Sequence, residues 1–293
     1  MNKNFFKLIE NDLDLDSKKK FVTIIGSSPS KGARSPILWN DLYEKINSPI
    51  RMYPIDCKND NFGDVVNYLL QNKNFIGSSI TTPFKELITS NKSIYLNQEI
   101  KKTLSSNCIY KKNNEYYATN TDGEAAIISL RKKTNLIKKN ILILGTGATA
   151  KSIIAYIDRH TPIKKYVTVL GRSDEKLLNF KNLFNCKIMN FNQKDIILNE
   201  FEIIINCTIL GWGNNKNLSP LSSEEIFSLN KSTFVFDIIY DPQETKLIQL
   251  SKKHGLKTLN GLDMNLTQAA LAFCYVNNIS LSDLDKILNL MNT

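Results

Sequence analysis

Two segments carry residue types suited to moving a proton. In Thr81-Thr82-Pro83-Phe84-Lys85-Glu86 an apolar run gives way to Thr and Pro. That pattern predicts a helix start, with Thr82 as N-cap, Pro83 at N1 and Lys85 at N3. A lysine in a helix's first turn opposes the macrodipole, and the same field favours the neutral amine that serves as acid or base. Local rules are often broken in this way where function requires it. In Asn120-Thr121-Asp122-Gly123-Glu124, Thr121 and Glu124 have capping-box spacing. Asp122 is then left at N1, with Gly123 giving space beside it. A carboxylate and an amine form a plausible proton-handling couple. The plainer readings are a tolerated surface lysine and an aspartate that complements the helix dipole.

A third segment offers backbone chemistry. Ile141 to Leu144 reads as a strand, and Gly145-Thr146-Gly147-Ala148-Thr149-Ala150 follows as G-x-G-x-x-A before a helical stretch. Gly145 permits a tight turn, Gly147 lets the main chain approach a pyrophosphate, and Ala150 lets helix and strand pack closely. The N–H groups at the helix start, including those near Ala148 and Thr149, face the phosphates. Ala150-Lys151-Ser152 also comes within one residue of a nucleotide-hydrolase loop, but glycine is missing where that loop needs it. The following strand ends in Gly171-Arg172-Ser173-Asp174-Glu175-Lys176. Arg172 and Lys176 suit a ribose 2′-phosphate, and Asp174 suits a free ribose diol, so NADP and NAD both stay open.

The elements that position these segments alternate. Strands are expected at Phe21 to Gly26, Arg51 to Ile55, Phe75 to Ile80, Asn140 to Leu144, Tyr166 to Leu170, Glu202 to Ile205, Thr233 to Asp237 and Lys257 to Leu259. Helical spacing lies between many of them, with Ser35 as N-cap before Pro36 and long helices over Leu262 to Tyr275 and Leu281 to Leu290. This alternation favours α/β architecture with mostly parallel sheets. Residues 1 to about 20 read as a polar tail or an added edge element.

Composition narrows the class. The 293 residues hold 38 Lys+Arg against 28 Asp+Glu, a formal charge of +10. The lysines are scattered rather than arrayed, which favours a solvated basic surface over a nucleic-acid footprint. Five Cys without a Cys-x-x-Cys pair, and only two His, argue against zinc and against a disulfide framework. No apolar run reaches membrane-span length. A cytoplasmic protein with reduced thiols and no metal is the expectation.

Over roughly residues 21 to 290 the chain resembles the shikimate dehydrogenases. The matching segments, in order, are Gly26 to Pro36, Thr81 to Glu86, Asn107, Asn120 to Gly123, Gly145 to Ala150, Gly171 to Ser173, Asn206-Cys207-Thr208, Asp237 to Tyr240, Pro242, Thr245 and Asn260 to Phe273. The resemblance implies a substrate-binding α/β domain over 21–122 after an extension at 1–20. A Rossmann dinucleotide-binding domain follows over 123–261, and helices at 262–293 return to the first domain. It implies catalysis by Lys85 and Asp122. Ring hydroxyls would be held by Asn107, Thr81 and Gln268, and the carboxylate by Ser35 and Tyr240. The cofactor would be held by Gly145 to Ala150, Arg172, Ser173, Asp174, Lys176, Thr208, Gly261 and Met264. The implied reaction is NADP-linked interconversion of 3-dehydroshikimate and shikimate, a small anionic polyol ring, by a monomer or homodimer.

Departures from the family pattern bear on the substrate. Ala33-Arg34-Ser35-Pro36 replaces Ser-Lys-Ser-Pro, so one carboxylate-binding hydroxyl is lost. The loop before it is one residue longer, with Ser30 or Lys31 placed to compensate. Ser79 replaces Asn, Asn265 replaces Leu, and Gly171 replaces Asn. The alternative is therefore a paralogue acting on quinate or another ring acid with NAD. A non-catalytic sensor of dinucleotide and a shikimate-like ligand is the reading from another class. It predicts loss of Lys85 or Asp122, and both are present.

Overall fold

The computed structural model describes residues 3–160, 166–192 and 198–292. The chain divides into two compact units, Met1–Thr121 with Gln268–Thr293, and Asp122–Thr267.

The first unit opens with a short helix, α1 (Lys3–Phe6), followed by β1 (Phe21–Gly26), α2 (Ser35–Lys45), β2 (Arg51–Asp56), α3 (Asn59–Gln71) and β3 (Phe75–Ile80). Then come β4 (Ile94–Leu96), α4 (Gln98–Thr103), β5 (Cys108–Lys112) and β6 (Glu115–Thr119). Among the described residues the sheet runs β2-β1-β3-β5-β6-β4. Its β2, β1 and β3 are parallel, and β5 is antiparallel to both β3 and β6. Every residue of β1 is buried, as expected of a central parallel strand covered on both faces. Helix α3 contributes Phe62, Val65, Val66 and Leu69, the i, i+3, i+4, i+7 stripe of a helix lying on a core. Asn113 and Asn114 both adopt positive φ in the β5–β6 hairpin, where a two-residue turn demands it.

The first twenty residues are less tail-like than their polarity suggests. Phe5 is fully buried in the core that holds Phe62 and Val65, and Ile9 bridges to Cys57 beyond the end of β2. Helix α2 begins one position earlier than its Ser-Pro signal implies. Ser35 is already helical, and Arg34 stands at the N-cap without a side-chain capping bond.

The second unit comprises α5 (Asp122–Arg131), β7 (Ile141–Leu144), α6 (Ala148–His160), β8 (Val167–Gly171), α7 (Asp174–Phe184), β9 (Lys187–Asn190) and β10 (Ile203–Asn206). It continues with α8 (Ser223–Phe227), β11 (Phe234–Asp237), α9 (Lys246–Lys253) and β12 (Lys257–Leu259). The strand order is β12-β11-β10-β7-β8-β9, parallel throughout among the described residues. The chain starts in the middle at β7, winds outward to β9, then returns to β10 and winds the other way. That reversal is the switch point of a doubly wound Rossmann-type sheet, and ligands bind such sheets beyond the strand carboxyl ends beside it.

Helix α10 (Leu262–Val276) passes from the second unit into the first, and α11 (Leu284–Asn292) closes the chain. In the first unit, Phe273 packs edge-on against Trp39, whose Nε1 donates to the Ala269 carbonyl at 3.2 Å. Lys45 Nζ donates to the Leu290 carbonyl at 2.8 Å, which ties α11 to α2.

One helix crossing in the second unit is unusually close. A Cβ added at Gly123 would lie 2.1 Å from the Ser152 carbonyl oxygen, and the Gly123 N–H donates to Ser152 Oγ at 2.9 Å. The expected open space beside Asp122 is therefore filled by the backbone of α6. Overpacking of this kind costs about 1–3 kcal/mol. Gly123→Ala is expected to lower unfolding free energy by about that much, measured by urea denaturation. An unchanged midpoint would show that the two helices can separate freely.

Candidate active site

Thr81, Lys85, Asn107 and Thr121 gather along one edge of the first sheet. The parallel strands β1 and β3 end there, antiparallel β5 begins there, and β6 ends there. Thr81 follows β3, and its N–H donates to Ile25 O at 2.9 Å. A Cβ on Gly26 would sit 2.3 Å from Thr81 Cγ2, so glycine at the end of β1 makes room for that side chain.

Lys85 does not stand in a helix. Residues 82–86 form a turn with a cis Thr82–Pro83 peptide, followed by a 3₁₀ helix at Leu87–Ser90. The expected N-cap at Thr82 and the opposition of Lys85 to a helix dipole therefore fall away. The turn is held by apolar contacts instead. Phe84 is fully buried and stacks on Phe62 with centroids 4.2 Å apart, and Ile88 is also buried. The Ser106 N–H donates to Lys85 O at 2.8 Å. With Phe84 and Ile88 turned inward, the Lys85 side chain remains partly exposed.

Asn107 is buried immediately before β5. Its Nδ2 donates to Thr121 Oγ1 at 2.9 Å and to Gln268 Oε1 at 3.4 Å, and its Oδ1 accepts from the Thr121 N–H at 2.9 Å. Thr121 Oγ1 donates to the Gln268 carbonyl at 3.0 Å. The structure thus engages the Thr121 hydroxyl in a tertiary network, not in the capping box with Glu124. Glu124 is half-buried, and burial raises its carboxyl above the usual range. Ser35 is buried at the first turn of α2.

In the second unit the candidate residues also follow strand carboxyl ends. Gly145 adopts φ +104°, and its missing Cβ would lie 3.1 Å from Thr208 Cγ2 and 3.2 Å from the Cys207 carbonyl carbon. It therefore serves both turn geometry and close approach. Ala150 is fully buried at the base of α6. Gly147 differs from both. Its φ is not among the positive ones, and nothing lies within 4 Å of where its Cβ would be. Among the described residues no packing or backbone demand explains glycine there. Close approach of an external group at the α6 N-terminus does, so this turn fits a dinucleotide pyrophosphate. Gly171 is explained by Thr146, whose Cγ2 would lie 2.8 Å from an added Cβ.

Arg172 and Lys176 are exposed, and Ser173 caps α7. Asp174, at the first position of α7, accepts from Asn190 Nδ2 at 2.5 Å. Tyr240 is half-buried in the segment after β11, Gly261 directly precedes α10, and Met264 is buried in its first turn. A Cβ at Gly261 would strike the Ile238 carbonyl oxygen at 1.9 Å, so this glycine lets the chain cross the exit of β11.

Asp237 carries a role that the residue pattern left unassigned. It closes the otherwise apolar strand Phe234-Val235-Phe236 and is fully buried. Burial pushes its carboxyl up to about 6, opposed by bonds from Thr245 Oγ1 at 2.6 Å, Ile239 N–H at 3.1 Å and Asn206 Nδ2 at 3.1 Å. Asn206 Oδ1 in turn accepts from the Thr208 N–H and hydroxyl at 2.9 and 2.7 Å. The two side chains fix the loops leaving β10 and β11. The neighbouring Cys207 thiol is pushed up by burial and by the Asp237 and Asp122 carboxylates, which keeps it protonated.

This arrangement defines a class, a two-unit α/β protein with one doubly wound, dinucleotide-type sheet. The model described as "Shikimate dehydrogenase substrate binding domain" matches residues 24–109, and that described as "Shikimate / quinate 5-dehydrogenase" matches residues 127–240. The shikimate dehydrogenase (NADP(+)) of Prochlorococcus marinus strain MIT 9301 is 32% identical over 274 residues, covering 90% of this chain and 94% of that protein. A crystal structure of a shikimate dehydrogenase in complex with NADP+ superposes with a TM-score of 0.80 at 24% identity, covering 95% and 96% of the two chains. The ligand-free 5-ketofructose reductase of Gluconobacter sp. strain CHM43 superposes almost as well, with a TM-score of 0.79 at 21% identity over 94% and 98%. The fold alone therefore does not select a substrate. The chain belongs to the shikimate dehydrogenase family, whose members are oxidoreductases acting on a CH–OH group.

Asp237 yields a pH prediction. A folded-state value of about 6 against 3.8 means that the fold holds a proton which the unfolded chain releases first. Its contribution to stability is full below about pH 4 and is lost as pH rises to about 6, by about 3 kcal/mol at most. The stability difference between the wild type and Asp237→Asn should fall with pH across this window in urea titrations. A flat difference would mean that the carboxyl titrates normally.

Proposed function

We propose that this protein interconverts 3-dehydroshikimate and shikimate with NADP. The observation that carries the reading is the match, over nine-tenths of the chain, to relatives named shikimate dehydrogenase (NADP(+)). The local geometry supports it, because each unit gathers its candidate residues at one sheet edge.

In this reading the first unit holds the ring. Asn107, Thr81 and Gln268 bond ring hydroxyls, and Ser35 and Tyr240 are the residues assigned to the carboxylate. Lys85 and Asp122 exchange a proton with the reacting hydroxyl. When bound, the nicotinamide supplies or accepts the hydride at the same carbon. The turn Gly145 to Ala150, with Ala148 and Thr149, cradles the pyrophosphate. Thr208, Gly261 and Met264 would also help to hold the cofactor. Lys85→Ala and Asp122→Asn should each lower kcat at least a hundredfold while leaving NADP affinity within threefold, measured by steady-state absorbance and calorimetry. Near-normal turnover in both variants would remove this mechanism.

Arg172, directly after β8, and Lys176, in the first turn of α7, are exposed and suit a 2′-phosphate. Asp174 is already bonded by Asn190 and complements the α7 dipole, which leaves it less available to a ribose diol. NADP is therefore favoured over NAD. Arg172→Ala should weaken NADP at least tenfold, as expected when a charge-assisted bond worth about 1.5–3 kcal/mol is lost, and should change NAD by less than threefold. Equal losses for both would assign Arg172 to adenine stacking.

A second reading, oxidation of quinate, is favoured by Ala33. Ser30 does not make good the lost hydroxyl, because its Oγ donates to Asp56. Assaying shikimate and quinate separately, each with NADP and with NAD, decides between them. The protein is further expected to act in the cytoplasm, as a monomer or homodimer, on a small-molecule substrate and without nucleic acid.

A further inference from the structure

Outside the candidate sites, the described residue that best combines burial, charge and an unexplained bonding pattern is Asp56. It ends β2, an edge strand, and is only 4% exposed. A carboxylate so placed needs partners. Ser30 supplies two. Its N–H donates to Oδ1 at 2.8 Å and its hydroxyl to Oδ2 at 2.5 Å, the short distance typical of a bond to a charged acceptor. Ser30 sits in the 3₁₀ turn Pro29–Lys31 that interrupts the loop between β1 and α2, and the turn ends at Gly32 with φ +149°. This is the loop that the chain has lengthened by one residue, and it leads into Ser35.

Asp56 is itself fixed from the other side. The Asp56 N–H donates to Asn11 Oδ1 at 2.7 Å, its carbonyl accepts from the Glu10 N–H at 2.8 Å, and Asn11 Nδ2 donates to the Pro54 carbonyl at 3.1 Å. Asn11 thus plays the part of a neighbouring strand on the free edge of β2. The segment is anchored further back by Phe5 in the core and by Asn61 Nδ2, which donates to the Leu8 carbonyl at 3.0 Å. Residues 3–20 precede the matched family region, which begins at residue 24.

We propose that Asp56, braced by Asn11 of the N-terminal segment, is a positioning residue that sets the lengthened loop and thereby the Ser35 hydroxyl for the substrate carboxylate. The proposal rests on the assignment of this edge to a ring acid. Ser30 then compensates for the altered loop as an anchor and not as a substitute ligand. The N-terminal segment acts on substrate affinity without touching substrate.

The test uses the full chain with Ser30→Ala, Asp56→Asn and Asn11→Ala. The first two should raise KM for shikimate at least fivefold, with kcat and the KM for NADP within twofold. Asn11→Ala should act in the same direction but less. Because the two residues share one linkage, the Ser30→Ala/Asp56→Asn double variant should match the stronger single variant. Hydrogen exchange at the amides of residues 27–33 should quicken in each variant. If the wild type turns over shikimate and both Ser30→Ala and Asp56→Asn keep its KM while losing thermal stability, Asp56 is merely structural and the proposal is overturned. If the wild type neither binds nor oxidises shikimate with either dinucleotide, the functional assignment fails and takes the proposal with it. Ser30→Ala removes one hydroxyl from an exposed residue and is the variant least able to disrupt folding.

Discussion

The approach of Gly123 to Ser152 is the constraint from which much of the second unit follows. Helix α5 begins at Asp122, and α6 begins just after the Gly145–Gly147 turn. Pressing the start of one against the body of the other, with only the Ser152 hydroxyl at the contact, fixes a candidate acid and a candidate pyrophosphate turn by a single crossing. A glycine interior to a helix normally costs about 0.5–1 kcal/mol relative to alanine. Here that cost is offset by backbone contact that no other residue permits. Thr121, one residue before Asp122, is gripped in the first unit by Asn107 and the Gln268 carbonyl. Precision at an acid/base residue comes from such supporting contacts more than from the residue itself.

The same division of labour recurs elsewhere. Asn206 and Asp237 end adjacent strands and bond to each other and to the loops beyond. Phe84 and Ile88 hold the Lys85 turn by burial. Asp56 holds the Ser30 loop. In each case buried side chains at or beyond a strand end fix the backbone of the adjoining segment. Buried polar groups of this kind are favourable only when fully bonded, and Asp237 has partners for both oxygens.

Much of the fold was legible because parallel strands advertise themselves. Phe21–Gly26 and Phe75–Ile80 are short apolar runs bounded by polar or glycine residues, and their limits match the pattern. The stretch from Ile94 to Thr119 was not legible. Its strands are short, and Tyr95, Tyr110 and Tyr117 stack on one another along a partly exposed face, so neither helical nor simple apolar periodicity appears. Misreadings at the site share one cause. Thr121 with Glu124, Thr82 with Pro83, and Ser35 with Pro36 all have the spacing of local helix caps. At each position a distant partner or the turn geometry prevails over the local one: Gln268 takes the Thr121 hydroxyl, a cis peptide replaces the helix start, and Arg34 displaces Ser35 from the cap. Sequence spacing carries the local option only. For Thr121 the competing partners, Asn107 and Gln268, lie far along the chain and become visible only once the fold has brought them near.

Departures from the family pattern can be sorted by whether the chain answers them internally. Gly171 is answered, since the branched Thr146 of the glycine-rich turn occupies the space that a side chain at 171 would need. The longer loop before Ser35 is also answered, since Ser30 is tied to Asp56 by two bonds. Ala33 is different, because the hydroxyl that the loop's 3₁₀ turn carries, that of Ser30, is already donated to Asp56. A change that the fold compensates leaves the ligand free to stay the same. A change that it does not compensate must be met by the ligand or by a weaker hold on it. On the proposed assignment the carboxylate end of the ring is where this enzyme and its relatives should differ, while the Asn107–Thr121–Gln268 network, proposed to face the ring hydroxyls, is held by bonds within the chain.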